Sequence, residues 1–305
     1  MPNSRGIWLR IPQQARWLAK AESRLVVCGH VYLLPASLGA SRLAGATVGT
    51  VLHGMELVPR RWPHRVVLAL LPRSSRVVAV SRHTGNVARL LGVPGERIRV
   101  VNPAPAPPWP VPDQPNRRSN GTGLHLVAVS RLAEGYKNIE LLLRMVSVLR
   151  ERRVISRLTV IGDGPRRGAL ETRAQGLGVE KVVQFVGRVE DHDVAAILAD
   201  AHIGLFPSRH SLAEGGFEGF GLVIQEMASA GLPVLVGRAA GAVDAARPGW
   251  SVLLDPDDLR AWTGAIEEMA SDEPKRVRMA ESALAWSRSV DHRRTAHAFL
   301  DALTG

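Results

Sequence analysis

Seven residues separate Glu218 from Glu226, Gly219 and Gly221 among them, in the stretch of this sequence best suited to holding a charged ligand. The run Glu218-Gly219-Phe220-Gly221-Leu222-Val223-Ile224-Gln225-Glu226 passes from a glycine-opened turn into a helical pattern beginning near Leu222. A helix start at that point aims backbone N–H groups and the positive end of the dipole at an anion. Glu218 precedes the helix and Glu226 lies about one turn inside it, so the two carboxylates can face different parts of one ligand. Pro207-Ser208-Arg209 stands just upstream. A second loop, Val129-Ser130-Arg131-Leu132-Ala133-Glu134-Gly135-Tyr136-Lys137-Asn138, carries two cations. Arg131 can grip a diphosphate in bidentate fashion, and Lys137 can act as a point charge. In a third, Ile161-Gly162-Asp163-Gly164-Pro165, glycines at a strand-to-helix turn let a ligand approach the backbone. Each has a plainer reading: paired surface carboxylates, solvated cations, or a tight turn that needs positive φ.

Short β-branched runs alternating with helical patterns must position these loops. The strand candidates are Leu25–Cys28, Val48–Leu52, Arg76–Val80, Ile98–Val101, Leu124–Val129, Leu158–Ile161, Val182–Phe185, Ile203–Phe206, Val234–Val236 and Ser251–Leu254. Amphipathic stretches such as Asn138–Arg150, Asp191–Ala199 and Leu222–Ala230 lie between them, and 12–22 reads as helical. Strands alternating with helices predict βαβ units and parallel sheets, and the unbroken apolar runs predict strands covered on both faces. Residues 102–123, NPAPAPPWPVPDQPNRRSNGTG, contain seven prolines and cannot be a helix or a central strand. The expected order is therefore a first domain over 1–104, a proline-rich linker over 105–123, a second domain over 124–284, and a tail over 285–305. The tail, helical over Ala283–Leu303, is expected to pack back on the first domain.

The 305 residues carry a formal charge of +11, with 46 % hydrophobic, 22 % charged and 5 % aromatic residues. That is an ordinary globular composition. A lone Cys28 excludes an internal disulfide and points to a reducing cytosol. No run approaches the roughly 20 apolar residues of a membrane span, and no signal peptide is visible, so a cytoplasmic protein is expected. The arginines come as scattered pairs without base-stacking patterns, which argues against nucleic acid. Peripheral contact with an anionic membrane, at its inner face, is the other partner expectation.

The segments VSRLAEGYKN, VIGDGP, QFVGRV, LFPSR and EGFGLVIQEMASAGLPVLVG resemble, in order and spacing, the family 4 glycosyltransferases of the retaining group. Weaker matches are VLHGMEL, AVSRHT and VVNP. The resemblance implies an α/β protein of GT-B type with two Rossmann-like lobes and parallel sheets. It implies transfer from a UDP- or GDP-sugar, UDP slightly favoured, to a glycan, lipid-linked or small natural-product acceptor, bacterial in style, with no cofactor and no metal. Arg131 and Lys137 would bind the donor diphosphate, Glu218 the transferred sugar and Glu226 the ribose. Gly219, Phe220, Gly221 and Leu222 would present backbone to sugar and phosphate, with Ser208 and Val223 among the donor-binding positions. Gly162 and Asp163 would lie near the nucleotide, and Val186 and Gly187 near its base. His53 resembles the family's first-lobe histidine, which faces the sugar and β-phosphate; from the residues alone it reads as a satisfied histidine at a strand end.

Asp191-His192-Asp193 superficially resembles a metal signature, but before a helical pattern it is expected to cap the helix. The sequence departs from the family by reaching His53 early. The first lobe is expected to be shortened, through a misassigned start, a decayed gene or a lobe that dispenses with those strands. A decayed gene would leave a remnant that binds nucleotide-sugars or a partner without catalysis. A second departure is Ser211–Phe217, SLAEGGF, which lengthens the loop before Glu218 and is expected to shape the sugar pocket.

Overall fold

A computed structural model describes residues 24–58, 62–105, 112, 114 and 123–305. The stretch 12–22 and most of the linker lie outside the described residues. By its contacts the chain divides into one unit of 1–103 with 292–305 and another of 104–291.

The first unit contains β1 (Leu25–Cys28), α1 (Leu34–Ala44), β2 (Thr47–Leu52), α2 (Trp62–Leu68), β3 (Arg76–Ala79), α3 (Arg82–Leu90) and β4 (Ile98–Val100). The four strands form one parallel sheet in the order β1-β2-β3-β4. Val31, Leu34, Leu52, Leu57, Leu71 and Val77 fill its core.

The second unit runs β5 (Leu124–Val129), α4 (Ile139–Glu151), β6 (Ile155–Ile161), α5 (Arg167–Gly176), β7 (Val183–Gly187), α6 (Asp191–Asp200) and β8 (Ile203–Phe206). It continues with α7 (Leu222–Ser229), β9 (Val234–Gly237), α8 (Ala242–Ala245), β10 (Ser251–Leu254), α9 (Leu259–Ser271) and α10 (Glu273–Arg288). Its six strands are parallel in the order β10-β9-β8-β5-β6-β7. Helices cover both faces, so β5 is apolar along its length apart from His125. In α4, Ile139, Leu142, Leu143, Val146 and Leu149 repeat at three- and four-residue steps and are all buried. They pack with Trp262 and Ile266 of α9 in one core, each burial stabilising the fold by roughly 2 kcal/mol.

The expected single helix over Ala283–Leu303 is instead two. α10 ends at Arg288 and α11 (His292–Thr304) begins after a break. Leu303 of α11 is buried, and its Cδ2 lies 2.7 Å from where a β-carbon on Gly49 would stand. A side chain on β2 there would exclude α11, which explains a glycine in mid-strand. Strand β6 starts at Ile155, three residues before its expected start, because Ile155 is buried beside Leu124 in the same core.

Candidate active site

The chain leaves β5 outward through β6 and β7, then returns to place β8 on the other side of β5. This makes β5 and β8 the switch point of the sheet, where loops diverge at the carboxyl ends and open a crevice. The loop after β5 carries Arg131 and Lys137, and the loop after β8 carries Glu218. Lys137 Nζ lies 2.5 Å from Glu218 Oε2, across 81 residues of sequence, with both side chains mostly buried. The ammonium also stands 5.1 Å from the Tyr136 ring centre and 5.7 Å from that of Phe206, so two aromatic faces help to hold it. Arg131 is different: its side chain is 64 % exposed, with the guanidinium 3.7 Å from Glu134.

Asn138, unassigned by sequence reasoning, fixes this arrangement. It adopts a left-handed conformation at φ 56°, which asparagine tolerates, and starts α4. Its side-chain amide donates to the carbonyls of Pro207 (3.3 Å) and Pro256 (2.8 Å), tying the β5 loop to those after β8 and β10. The Arg209 N–H adds a bond to the Tyr136 carbonyl at 2.9 Å. The Arg209 guanidinium pairs with Glu214 in bidentate fashion and with Asp257 at 2.8 Å. Glu214 is thereby engaged within the lengthened loop, while Glu218 reaches Lys137.

Helix α7 starts at Leu222 after Gly221, whose φ of 88° suits glycine. Phe220 and Ser208 are buried, while Leu222 and Val223 are more open. The bare α-carbon of Gly241, also unforeseen, lets the chain pass the 218–220 backbone. A β-carbon on it would stand 1.9 Å from the Gly219 carbonyl oxygen, and its N–H donates to the Glu218 carbonyl. Glu226 is partly buried and, among the described residues, its carboxylate has no hydrogen-bond or ion-pair partner. Burial, and secondarily the charge of Asp191, raises its pKa above the usual carboxylate value. Burial, then the carboxylates of Glu218 and Glu134, likewise push the Tyr136 phenol up.

The glycines of Gly162-Asp163-Gly164 meet protein backbone. A β-carbon on Gly162 would lie 2.0 Å from the Ser130 oxygen, and one on Gly164 2.4 Å from the Leu132 oxygen. They let this turn cross the Arg131 loop, locked by Leu132 N–H to Asp163 carbonyl at 3.0 Å. Asp163 faces Arg167 at 3.6 Å, and Gly187 stands beside the same arginine at the end of β7, after Val186. Asp191 and Asp193 do not cap α6. The cap position is Glu190, and the aspartates occupy the first turn, where negative charge favours the helix dipole. Among the described residues no group of three or more His, Cys, Asp and Glu is placed to hold a metal. His53, in the first unit, follows the end of β2 with an exposed side chain. Its Nε2 lies 3.0 Å from the Gly29 carbonyl oxygen, and its N–H donates to Glu56 at 2.5 Å.

The chain thus has two parallel sheets of α/β type, with cations and carboxylates gathered at the switch point of the larger, the place where open α/β sheets take their ligands. Residues 113–286, over half of the chain, match the profile described as Glycosyl transferases group 1, and residues 1–104 match Glycosyltransferase Family 4. The chain belongs to the family 4 glycosyltransferases.

WcaL of Escherichia coli (strain K12), whose name provisionally assigns it to colanic acid biosynthesis, is 27 % identical over 88 % of this chain and 72 % of its own. The GDP-mannose-dependent alpha-(1-6)-phosphatidylinositol monomannoside mannosyltransferase of Mycolicibacterium smegmatis is 30 % identical over 58 % of this chain. That match spans 48 % of the mycobacterial protein, under half its length. Anabaena HepE in complex with UDP superposes with a TM-score of 0.78 at 20 % identity, over 96 % of this chain and 82 % of that one. At that identity the likeness establishes the fold, which is GT-B.

Proposed function

We propose that this protein transfers a sugar from a UDP- or GDP-sugar to a hydroxyl of a glycan, lipid-linked or small acceptor, with retention of configuration and without a metal. The observation that carries the reading is the Lys137–Glu218 pair at the switch point, with Arg131 exposed beside it. An arriving diphosphate recruits Lys137 and Arg131. Glu218, released from its partner, then accepts hydrogen bonds from the sugar hydroxyls. Glu226, half-buried and unpaired, accepts from the ribose hydroxyls. His53 is assigned to the sugar on the family resemblance.

In the reaction, the bond between the anomeric carbon and the diphosphate oxygen breaks as the acceptor oxygen bonds to that carbon on the same face. The acceptor proton passes to the leaving phosphate, and nucleoside diphosphate is the second product. Lys137 and Arg131 act where charge develops, on the departing diphosphate. The donor reading is favoured by the UDP bound in the Anabaena neighbour and the GDP-mannose dependence in the mycobacterial relative's name.

Calorimetric titration of the chain with UDP, GDP and their sugars, in chelator and then in magnesium, tests this. Micromolar binding of one nucleotide in chelator is expected. A folded chain that binds neither would overturn the donor reading, and binding only with magnesium would overturn metal independence. Inverted anomeric configuration of the product would overturn retention.

A further inference from the structure

The charge of this protein is distributed very unevenly. Residues 1–103 and 292–305 carry 17 Lys and Arg against 4 Asp and Glu, a balance of +13. Residues 104–291 carry 22 against 24, a balance of −2. The surplus of the whole chain therefore belongs to the first unit. In the second unit the basic side chains pair repeatedly with carboxylates, as in Arg152–Glu267, Arg166–Glu140 and Arg167–Glu171.

On the first unit, one face concentrates unpaired cations around apolar side chains. The end of α2, the turn Leu71–Arg73, the end of α3 and the loop to β4 adjoin there. Arg65, Leu68 and Ala69 share a groove of 560 Å³ with Leu90, Leu91 and Gly92. Arg97 donates to the Pro72 carbonyl at 3.3 Å, and Arg89 packs at Gly95, which joins the loop to the same face. Arg65, Arg89 and Arg97 are exposed, and among the described residues none has a carboxylate partner. Glu96 is the acid of this loop. Leu90, next to Arg89, is 87 % exposed, and Val66, next to Arg65, is 45 % exposed.

We propose that this face docks the protein on an anionic lipid bilayer, with the three arginines at the headgroups and Leu90 and Val66 in the interfacial layer. Arginines next to an anionic surface each favour attachment about fivefold, and exposed apolar residues among them add burial below the headgroups. A soluble polyanion would satisfy the arginines but offers nothing to Leu90, which is why the bilayer is favoured. No helix among the described residues is long and apolar enough to cross a membrane. The proposal is attachment to one surface, and it does not depend on the donor reading.

Flotation of the full chain with phosphatidylcholine vesicles, with and without phosphatidylglycerol, tests it, with soluble heparin as the competing probe. Binding only to the anionic vesicles, weakened by salt, is expected. Arg65→Ala with Arg89→Ala should weaken it about twenty-five-fold, and Leu90→Ser should weaken vesicle binding while leaving heparin binding unchanged. All these side chains are exposed, and circular dichroism verifies that the variants fold. Equal binding to neutral vesicles, parent-like binding by the double variant, or an unaffected Leu90→Ser would each overturn the proposal. The last, with tight heparin binding, would assign the face to an anionic polymer. Nucleotide titration of the same variants should match the parent, which separates failure here from failure of the donor site.

Discussion

The two ends of β5 hold similar side chains and use them differently. At the amino end His125 is buried, with Nε2 2.9 Å from the Thr159 hydroxyl and Nδ1 3.1 Å from the Asp200 carbonyl oxygen. Its own N–H donates to His202, and Arg157 pairs with Asp200 beside it. Burial first, then the Arg157 charge, lowers the pKa of His125, so the ring is held neutral. At the carboxyl end Lys137 and Glu218 answer one another, Arg131 is exposed, and the Glu226 carboxylate has no partner among the described residues. A buried ring whose nitrogens are both engaged by neighbouring groups, as in His125, stabilises the fold. A cluster that leaves charge available at a strand end is prepared for a ligand. The difference follows from topology, because the switch point parts the loops only at the carboxyl end.

The strongest way to break this contrast is Lys137→Ala. It should lower kcat/KM about a hundredfold in steady-state transfer assays, because the charge acts on the departing diphosphate. Parent-like turnover would make the carboxyl end as structural as the amino end.

His125→Ala should do the reverse, costing about 2–3 kcal/mol in denaturant unfolding with donor affinity unchanged. The parent should also lose stability as pH falls. Its folded His125 pKa is depressed, so the unfolded chain takes up the proton first, and the loss begins below about 6.5. The alanine variant should lack that loss. An equally steep pH profile in the variant would assign the effect to other groups.

The smallest effect, and the sharpest, belongs to Glu226. Glu226→Gln should weaken donor binding about tenfold, the loss of a charge-assisted bond. In the parent, donor affinity should fall on acidification at a higher pH than an ordinary glutamate would give, since burial raises this pKa. A titration midpoint at the ordinary glutamate value would remove the burial argument.

Much of the fold was legible in the residues, because parallel strands covered on both faces must be apolar runs and the helices between them must be amphipathic. Hence Leu124–Val129, Ile203–Phe206 and Ser251–Leu254 are strands with the expected ends. The tail was misread because Ala283–Leu303 keeps a helical pattern through a break that only the separate packing of α10 and α11 imposes. Residues with strong chemical character, Arg131, Lys137, Glu218 and Glu226, could be selected from type and spacing. Asn138, Arg209 and Gly241 could not, since their roles are bonds and clearances to segments far along the chain.

The sequence by itself determined the alternation of elements, the loops that carry charge, and a basic surplus. Tertiary structure alone decided that Lys137 meets Glu218 while Glu214 is held by Arg209, and that the glycines at 162 and 164 serve a backbone crossing. It also decided that Arg65, Arg89 and Leu90 share one face. Local patterns report propensity and polarity. Which distant groups come within hydrogen-bond reach is set by strand order, and strand order depends on packing of the whole sheet.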